Sequence, residues 1–298
     1  MILITGGSGQ LGDALQQLCT AQGLAFKAVS RPEFDFETPE TIATCFNAAK
    51  PNLVINAAAY TAVDKAETDI AAADAGNHTG PLALAKLCET AGIPFIHVST
   101  DYVFDGNKGA PYVETDPTNP TGIYGATKRD GEAAILATNA HAVILRTAWV
   151  YGAHGKNFAR TMLGAGRKMP LLRVVADQRG TPTTAADLAA AILGAAAKIR
   201  ETGWQPEYRG VFHATGADET TWYGFAKAVI EGAGLAPSPK ISPITTPEYP
   251  TPAIRPVNSV LDCSRIRQEF EIFQPSWRDA LSQVLAEVKM GGHASGGA

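Results

Sequence analysis

The first twenty-two residues constrain the fold most. Met1-Ile-Leu-Ile-Thr5 is a short apolar run, Gly6-Gly-Ser-Gly-Gln-Leu-Gly12 follows, and helical periodicity sets in from Asp13 to Gln22. Strand, glycine turn and helix in that order form the context of a dinucleotide-binding fingerprint. Gly6, Gly9 and Gly12 are spaced G-x-x-G-x-x-G rather than G-x-G-x-x-G. Glycines permit a tight turn and close approach of a pyrophosphate to backbone, and a helix N-terminus attracts its charge. The competing reading is an ordinary glycine-rich turn; the position directly after a strand and before a helix favours the cradle.

Strand and helix patterns then alternate. Ala25–Val29 reads as a strand, and Pro39–Ala49 as a helix capped by Thr38 with proline at its first position. Asn52–Ile55 reads as a strand, Ala66–Thr90 as a helix broken near Gly76, and Phe95–Val98 as a buried strand. Asp105–Asn119 is a long polar loop, Ile123–Thr138 a helix, and Ala142–Leu145 a strand continued through residues 146–152. Alternation of this kind predicts an α/β fold, a Rossmann-type doubly wound parallel sheet with a smaller C-terminal α/β substrate domain. Residues 1–150 form the dinucleotide-binding part with the catalytic residues. Residues 151–290 form the substrate-binding region, from which some segments can return to the first domain. In that second part helices are expected over 157–167, 187–198, 222–232 and 276–290, strands over 171–175 and 210–214, and an extended, proline-rich loop over 237–258. Residues 291–298 carry no core-forming side chains and are expected to be a disordered tail.

Composition removes several function classes. Charged residues make up 18% of the 298 and the formal net charge is −4, with no Lys/Arg block. Nucleic acid is therefore not an expected partner, and an anionic ligand has to be held by local features. No 18-residue apolar run is present, so no membrane partner is expected. Cys19, Cys45, Cys88 and Cys263 lack CxxC spacing and read as reduced structural thiols; with no export signal at the start, this suits the cytoplasm.

The chemistry concentrates between His97 and Lys128. Ser99, Thr100 and Asp101 come at the carboxyl end of a strand, where open α/β sheets bind ligands. Tyr124 and Lys128 are four apart on the next helix, on one face and one turn apart. An ammonium beside a phenol lowers the phenol's pKa from its ordinary value of about 10. Beside a nicotinamide, which supplies hydride, Tyr124 can then act as general acid toward a ketone, while Thr100 bonds the carbonyl. A lone Tyr-x-x-x-Lys arises often by chance on helices; the upstream glycine turn and Ser-Thr strand end give it weight. At the second strand's end Ser30-Arg31 stand where an acidic residue marks NAD preference, and Arg31 can pair with a 2′-phosphate instead.

These stretches resemble the extended short-chain dehydrogenase/reductase superfamily, and within it the family of dTDP-4-dehydrorhamnose reductases. The resemblance rests on Gly9-Gln-Leu-Gly12, Val54–Glu67, Ser99–Phe104, Tyr124–Lys128, Arg146–Tyr151, Asn157-Phe158, Tyr249–Pro252 and Arg255-Pro256. It implies that Tyr124 is the proton donor, Lys128 its partner and a cofactor contact, and Thr100 a catalytic hydroxyl. Gly6, Gly9, Gln10, Leu11, Gly12, Arg31, Asp35, Phe36, Ala59, Tyr60 and Thr61, with Tyr124 and Lys128, would line a site for NADPH or NADH. Thr100, Asp101, Trp149, Asn157 and Arg255 would contact a dTDP-sugar. The implied reaction is reduction of the C4 ketone of dTDP-4-dehydro-L-rhamnose to dTDP-L-rhamnose.

Departures set limits. Relatives often have an acidic residue at Ser30, so strict NADH use is not implied. Some relatives use Mg2+ at a dimer interface through a glutamate that aligns with Ala186; no metal ligand is carried over, Mg2+ stays an unmapped cofactor, and a homodimer stays open. One rival reading is another epimerase or reductase of nucleotide sugars. Dehydratases of the superfamily carry Asp-Glu after the Ser/Thr, whereas Asp101 is followed by Tyr102 here. A second rival is a non-catalytic regulatory subunit like that of methionine adenosyltransferase, against which the intact Thr100, Tyr124 and Lys128 argue.

Overall fold

The computed structural model of the protein describes residues 1–294. Its centre is one six-stranded sheet in the order β10-β5-β4-β3-β1-β2, parallel at each pairing. The first part runs β1 (Ile2–Thr5), α1 (Gln10–Ala21), β2 (Phe26–Val29), α2 (Pro39–Ala49) and β3 (Leu53–Asn56). Short helices α3 (Val63–Ala66) and α4 (Ile70–Asp74) follow, then a π-helical turn over Ala75–Thr79 and α5 (Gly80–Ala91). Next come β4 (Phe95–Thr100), a 3-10 turn over Asp101–Val103, α6 (Ile123–Thr138) and β5 (Ala142–Thr147). β1, β3 and β5 are buried along their whole length, as strands covered by helices on both faces must be. One apolar cluster joins α1 and α8 to the sheet, and the other joins α2, α5 and α6.

The second part begins with β6 (Val150–Tyr151), α7 (Phe158–Gly166), β7 (Leu171–Val175), β8 (Arg179–Gly180), β9 (Thr183–Thr184) and α8 (Ala185–Thr202). It continues with β10 (Gly210–His213), β11 (Thr220–Thr221), α9 (Trp222–Ala233), β12 (Lys240–Ile244), α10 (Ser264–Phe270) and α11 (Trp277–Ala294). α7, α9 and α11 enclose their own core of Tyr151, Phe158, Phe225 and Trp277.

β10 is the sixth strand of the central sheet, paired with β5, and α8 and α10 cover that sheet too; the chain crosses back after entering the second lobe, as the expectation allowed for some segments. Three expectations need correction. The strand over 142–152 breaks after Thr147, because Trp149 has φ +48, a conformation that costs a bulky residue energy. The proline-rich stretch 237–258 contains a strand, β12, paired in parallel with β7, and α10 had no counterpart in the sequence reading. Finally, α11 continues to Ala294, past the point where a tail was expected, while residues 295–298 lie outside the described residues.

β1 sits between β2 and β3, so the chain leaves it toward opposite sides. The carboxyl ends of β1 and β3 therefore flank a topological switch point, the usual ligand crevice of such sheets.

Candidate active site

At the switch point the backbone comes unusually close to itself. Gly6 has φ +72, and a Cβ there would lie 2.7 Å from the Ala58 nitrogen beyond β3. A Cβ on Gly12 would lie 2.1 Å from the Gly6 oxygen. Only glycine fits at either place. Gly9 caps α1 without any side-chain acceptor for the first helical N–H groups, which leaves them for an anion. Leu11 is buried in the core, so this residue offers only its backbone to a ligand. Ser30 accepts a hydrogen bond from the Ser8 nitrogen at 3.0 Å, tying the turn to β2. Arg31 next to it is exposed. Asp35 accepts from the Glu37 nitrogen at 3.1 Å. Phe36 is buried against Gly80, where a Cβ would lie 2.4 Å from its ring, and presents no free face.

Beyond β3, Ala59 and Thr61 are exposed and Tyr60 half-buried. Tyr60 is fixed by a residue that no motif singles out. Asn77 lies in the π-helical turn, accepts from the Tyr60 nitrogen at 3.0 Å and donates to its carbonyl at 3.1 Å. Its amide also reaches the Thr127 hydroxyl at 3.2 Å, joining this loop to the face of α6 between Tyr124 and Lys128. The Tyr60 hydroxyl donates to Asp69 at 3.2 Å.

β4 and α6 bring the reactive set together. Thr100 donates to Asp101 Oδ1 at 3.0 Å and accepts from the Tyr102 nitrogen at 3.2 Å. The same hydroxyl lies near the Tyr124 phenol, whose ring packs edge-on against Tyr102 at 5.5 Å. Burial pushes the Tyr124 pKa up to about 12, opposed by the Thr100 hydroxyl and reinforced by the Asp101 charge. Burial also pushes the Asp101 carboxyl up to about 6, against the lowering influence of the nearby Ser259 and Thr100 hydroxyls; its Oδ2 is buried with no hydrogen-bond partner. Lys128 is buried, and burial brings its pKa down to about 8 against the pull of Glu132.

The expected lowering of the tyrosine by the lysine is not seen. Lys128 shares a helix face with Tyr124, yet its ammonium turns into the sheet, donating to the Val98 carbonyl at 2.7 Å and approaching His97 Nε2 at 3.3 Å. The backbone of β4 has captured it.

Residues of both lobes flank this set. Trp149 stacks on Trp222 with centroids 3.5 Å apart. A Cβ on Gly180 would touch both the Trp149 ring and the Ser259 hydroxyl, so Trp149 stands close to that hydroxyl, which donates to the Arg179 carbonyl at 3.3 Å. Arg255 is held by a two-pronged ion pair to Asp64, both contacts 2.8 Å. Asn157 does not point at an open pocket. It caps α7 through the Arg160 nitrogen, and its amide donates to Gln10 Oε1, Gly152 O and His154 O at 2.8–3.1 Å. Its polar atoms are thus engaged within the protein, bracing the glycine turn through Gln10.

Sequence reasoning missed Asp64 and Glu67 as well as Asn77. Glu67 accepts from the Ile123 nitrogen at 2.9 Å and so caps the helix that carries Tyr124. Both acids lie in the stretch Val54–Glu67 that carries part of the resemblance. Polar Asn56 and His97 within otherwise apolar strands were a second signal left unread. Among the described residues no group of three or more His, Cys, Asp or Glu is placed to hold a metal ion.

Comparison with known proteins agrees with this geometry. Residues 1–290 match the model of a family described as RmlD substrate binding domain. A Burkholderia thailandensis protein named dTDP-4-dehydrorhamnose reductase is 44% identical over 294 residues, covering 96% of this chain and 98% of its own. The crystal structure of a dTDP-4-dehydrorhamnose reductase from Clostridium acetobutylicum superposes with TM-score 0.90 at 37% identity, covering 97% of this chain and 99% of that one. One from Bacillus anthracis, in complex with NADP, gives TM-score 0.88 at 31% identity, over 96% and 98%.

Proposed function

The chain belongs to the RmlD substrate binding domain family, and from that premise we propose that it reduces the C4 ketone of dTDP-4-dehydro-L-rhamnose to dTDP-L-rhamnose, with NADPH or NADH as the reductant. The observation that carries this reading is the junction of Thr100, Tyr124 and Lys128 at the carboxyl end of β4, beside a glycine turn that admits no side chain. The turn fits a dinucleotide: its helix N-terminus is uncapped and the walls that follow, through Ala59 and Thr61, are small and exposed. When bound, the nicotinamide supplies the hydride.

This chain's residues do the rest. The Tyr124 hydroxyl gives its proton to the carbonyl oxygen as negative charge builds there. A phenol at about 12 is a weak donor, so the Lys128 ammonium must come to bear on it, which requires leaving the Val98 carbonyl. Thr100 turns its proton from Asp101 to the carbonyl, exchanging one hydrogen bond for another. Trp149, with Trp222 behind it, offers a flat apolar wall to the sugar. Arg255 keeps N–H groups beyond those bonded to Asp64 and the Ala253 carbonyl, suited to an anionic sugar nucleotide. Arg31 faces solvent where a 2′-phosphate would lie. Residues 1–150 would hold the cofactor, with β10, α8 and α10 rejoining that lobe, and the α7–α9–α11 lobe would cover the sugar.

Dehydration is not supported by this site. The residue after Asp101 is Tyr102, and burial raises its phenol still further from the range of a base. The experiment is a coupled assay on enzymatically generated dTDP-4-keto-6-deoxy sugar, following nucleotide oxidation with each cofactor. Consumption of NADPH or NADH with formation of dTDP-L-rhamnose supports the reading; no oxidation with either cofactor would discard it.

A further inference from the structure

A polar thread runs under the reactive pair, entirely out of solvent. Thr5, Asn56 and His97 are fully buried and Lys128 is nearly so. The Thr5 hydroxyl donates to Asn56 Oδ1 at 2.5 Å, and the Ala58 nitrogen donates to the same oxygen at 3.2 Å. A backbone N–H can only donate, so the amide orientation of Asn56 is pinned. Its Nδ2 then faces His97 Nδ1 at 2.8 Å and must donate. His97 Nδ1 therefore carries the lone pair, and the proton of the neutral ring sits on Nε2. That Nε2–H is aimed at Lys128 Nζ, 3.3 Å away. An ammonium has no lone pair to receive it; a free amine has one, and can still donate to the Val98 carbonyl at 2.7 Å.

We propose that His97, oriented by Asn56, is a positioning residue that biases Lys128 toward the free amine while the nucleotide site is empty, so that Lys128 takes up a proton when the nicotinamide nucleotide binds. The inference rests on the cofactor reading above. Burial lowers the Lys128 pKa as well, but the other polar groups around the lysine do not add to that bias. On α6, Glu132 lies one turn on and favours the ammonium, although its carboxylate is already shared between Arg146 of β5 and Ser99 of β4. Tyr124, one turn earlier, is neutral at ordinary pH, its phenol raised by burial. From β4 come only His97 and the Val98 carbonyl. The imidazole is held neutral by its burial. The arrangement also accounts for why the lysine does not act on the tyrosine before the cofactor arrives.

The test is calorimetric titration of NADPH into the full protein, in buffers of different ionisation enthalpy, at about one pH unit above the Lys128 value. Roughly one proton is expected to be taken up per NADPH bound. His97→Gln places a side-chain carbonyl where Nε2 stood, an acceptor for the ammonium, so uptake should fall toward zero while NADPH still binds. His97→Asn keeps an acceptor for Asn56 but removes the N–H aimed at Lys128, and should also reduce uptake. Nitrogen NMR of the histidine-labelled wild-type protein provides a check without substitution, with His97 expected as the Nε2–H tautomer. Binding without proton uptake in the wild type, uptake unchanged in both variants, or an Nδ1–H tautomer would each overturn the proposal. No binding heat at all would overturn the cofactor assignment with it, and the missing heat tells that failure from the others.

Discussion

Arg146→Met should be among the most destabilising substitutions near the site. Arg146 on β5 holds Glu132 on α6 with contacts of 2.6, 2.9 and 3.2 Å, and Ser99 on β4 donates to the same carboxylate at 2.5 Å. Both charged side chains are about 95% buried, and the guanidinium lies 5.0 Å over the Phe104 ring. Methionine fills much of the volume but leaves Glu132 charged, desolvated and held by one hydroxyl. Breaking a buried pair on one side costs about 3–5 kcal/mol, whereas replacing both members by apolar groups is often neutral. At about 2–4 °C per kcal/mol for a chain somewhat below this size, Tm should fall by roughly 6–20 °C. The double variant Arg146→Met/Glu132→Met should recover most of that, short of about 1 kcal/mol for the Ser99 hydroxyl left without its acceptor. Urea unfolding of the two single variants and the double variant closes the cycle. If Arg146→Met costs under about 1 kcal/mol, or the double variant is no better than the single, the pair is not a desolvated clamp and the reasoning fails.

Three further outcomes are expected. Asp101 has its folded pKa raised to about 6, so the folded state prefers the protonated carboxyl; its favourable contribution is full below about pH 4 and is lost as pH rises through 6, roughly 3 kcal/mol in all. Asp101→Asn should therefore gain stability relative to wild type between pH 4 and 7, and parallel unfolding free energies across that range would contradict this. Glu67→Ala removes the acceptor for the Ile123 nitrogen and should cost about 0.5–2 kcal/mol as a lost helix cap, with a fall in kcat as Tyr124 loses its anchor; unchanged Tm and kcat would count against it. Arg31→Ala should lower the ratio of kcat/KM for NADPH over NADH, and an unchanged ratio would remove Arg31 from the 2′-phosphate site.

Much of the fold was legible because it is written locally. α6 runs Ile123–Thr138 as its periodicity predicts, and the break near Gly76 is a π-helical turn. Gly76 is required there, since a Cβ would lie 2.9 Å from that of Tyr60. What failed depends on partners distant in the chain. A strand of four residues such as β10 carries no mark of whether it joins the central sheet or the second lobe. β12 was hidden by Pro243 within it, a residue tolerated because the strand has a single neighbour, β7, and its other edge is open. Within the site, Thr100, Tyr124 and Lys128 were readable from spacing and resemblance. Spacing also predicted a lysine acting on the tyrosine, and could not show the Val98 carbonyl and His97 competing for it. The resemblance implies a ligand contact for Asn157; its bond to Gln10 lies across about half the chain, out of reach of local pattern.

The most direct test of the account is Tyr124→Phe. The substitution removes one hydroxyl and leaves the ring that packs on Tyr102. With NADPH binding and folding intact, turnover of the keto-sugar should fall by about 10²–10⁴-fold, the usual contribution of a positioned general acid. A purified variant that reduces the keto-sugar at the parent rate would contradict the assignment of Tyr124 as proton donor, and with it the mechanism built on this site.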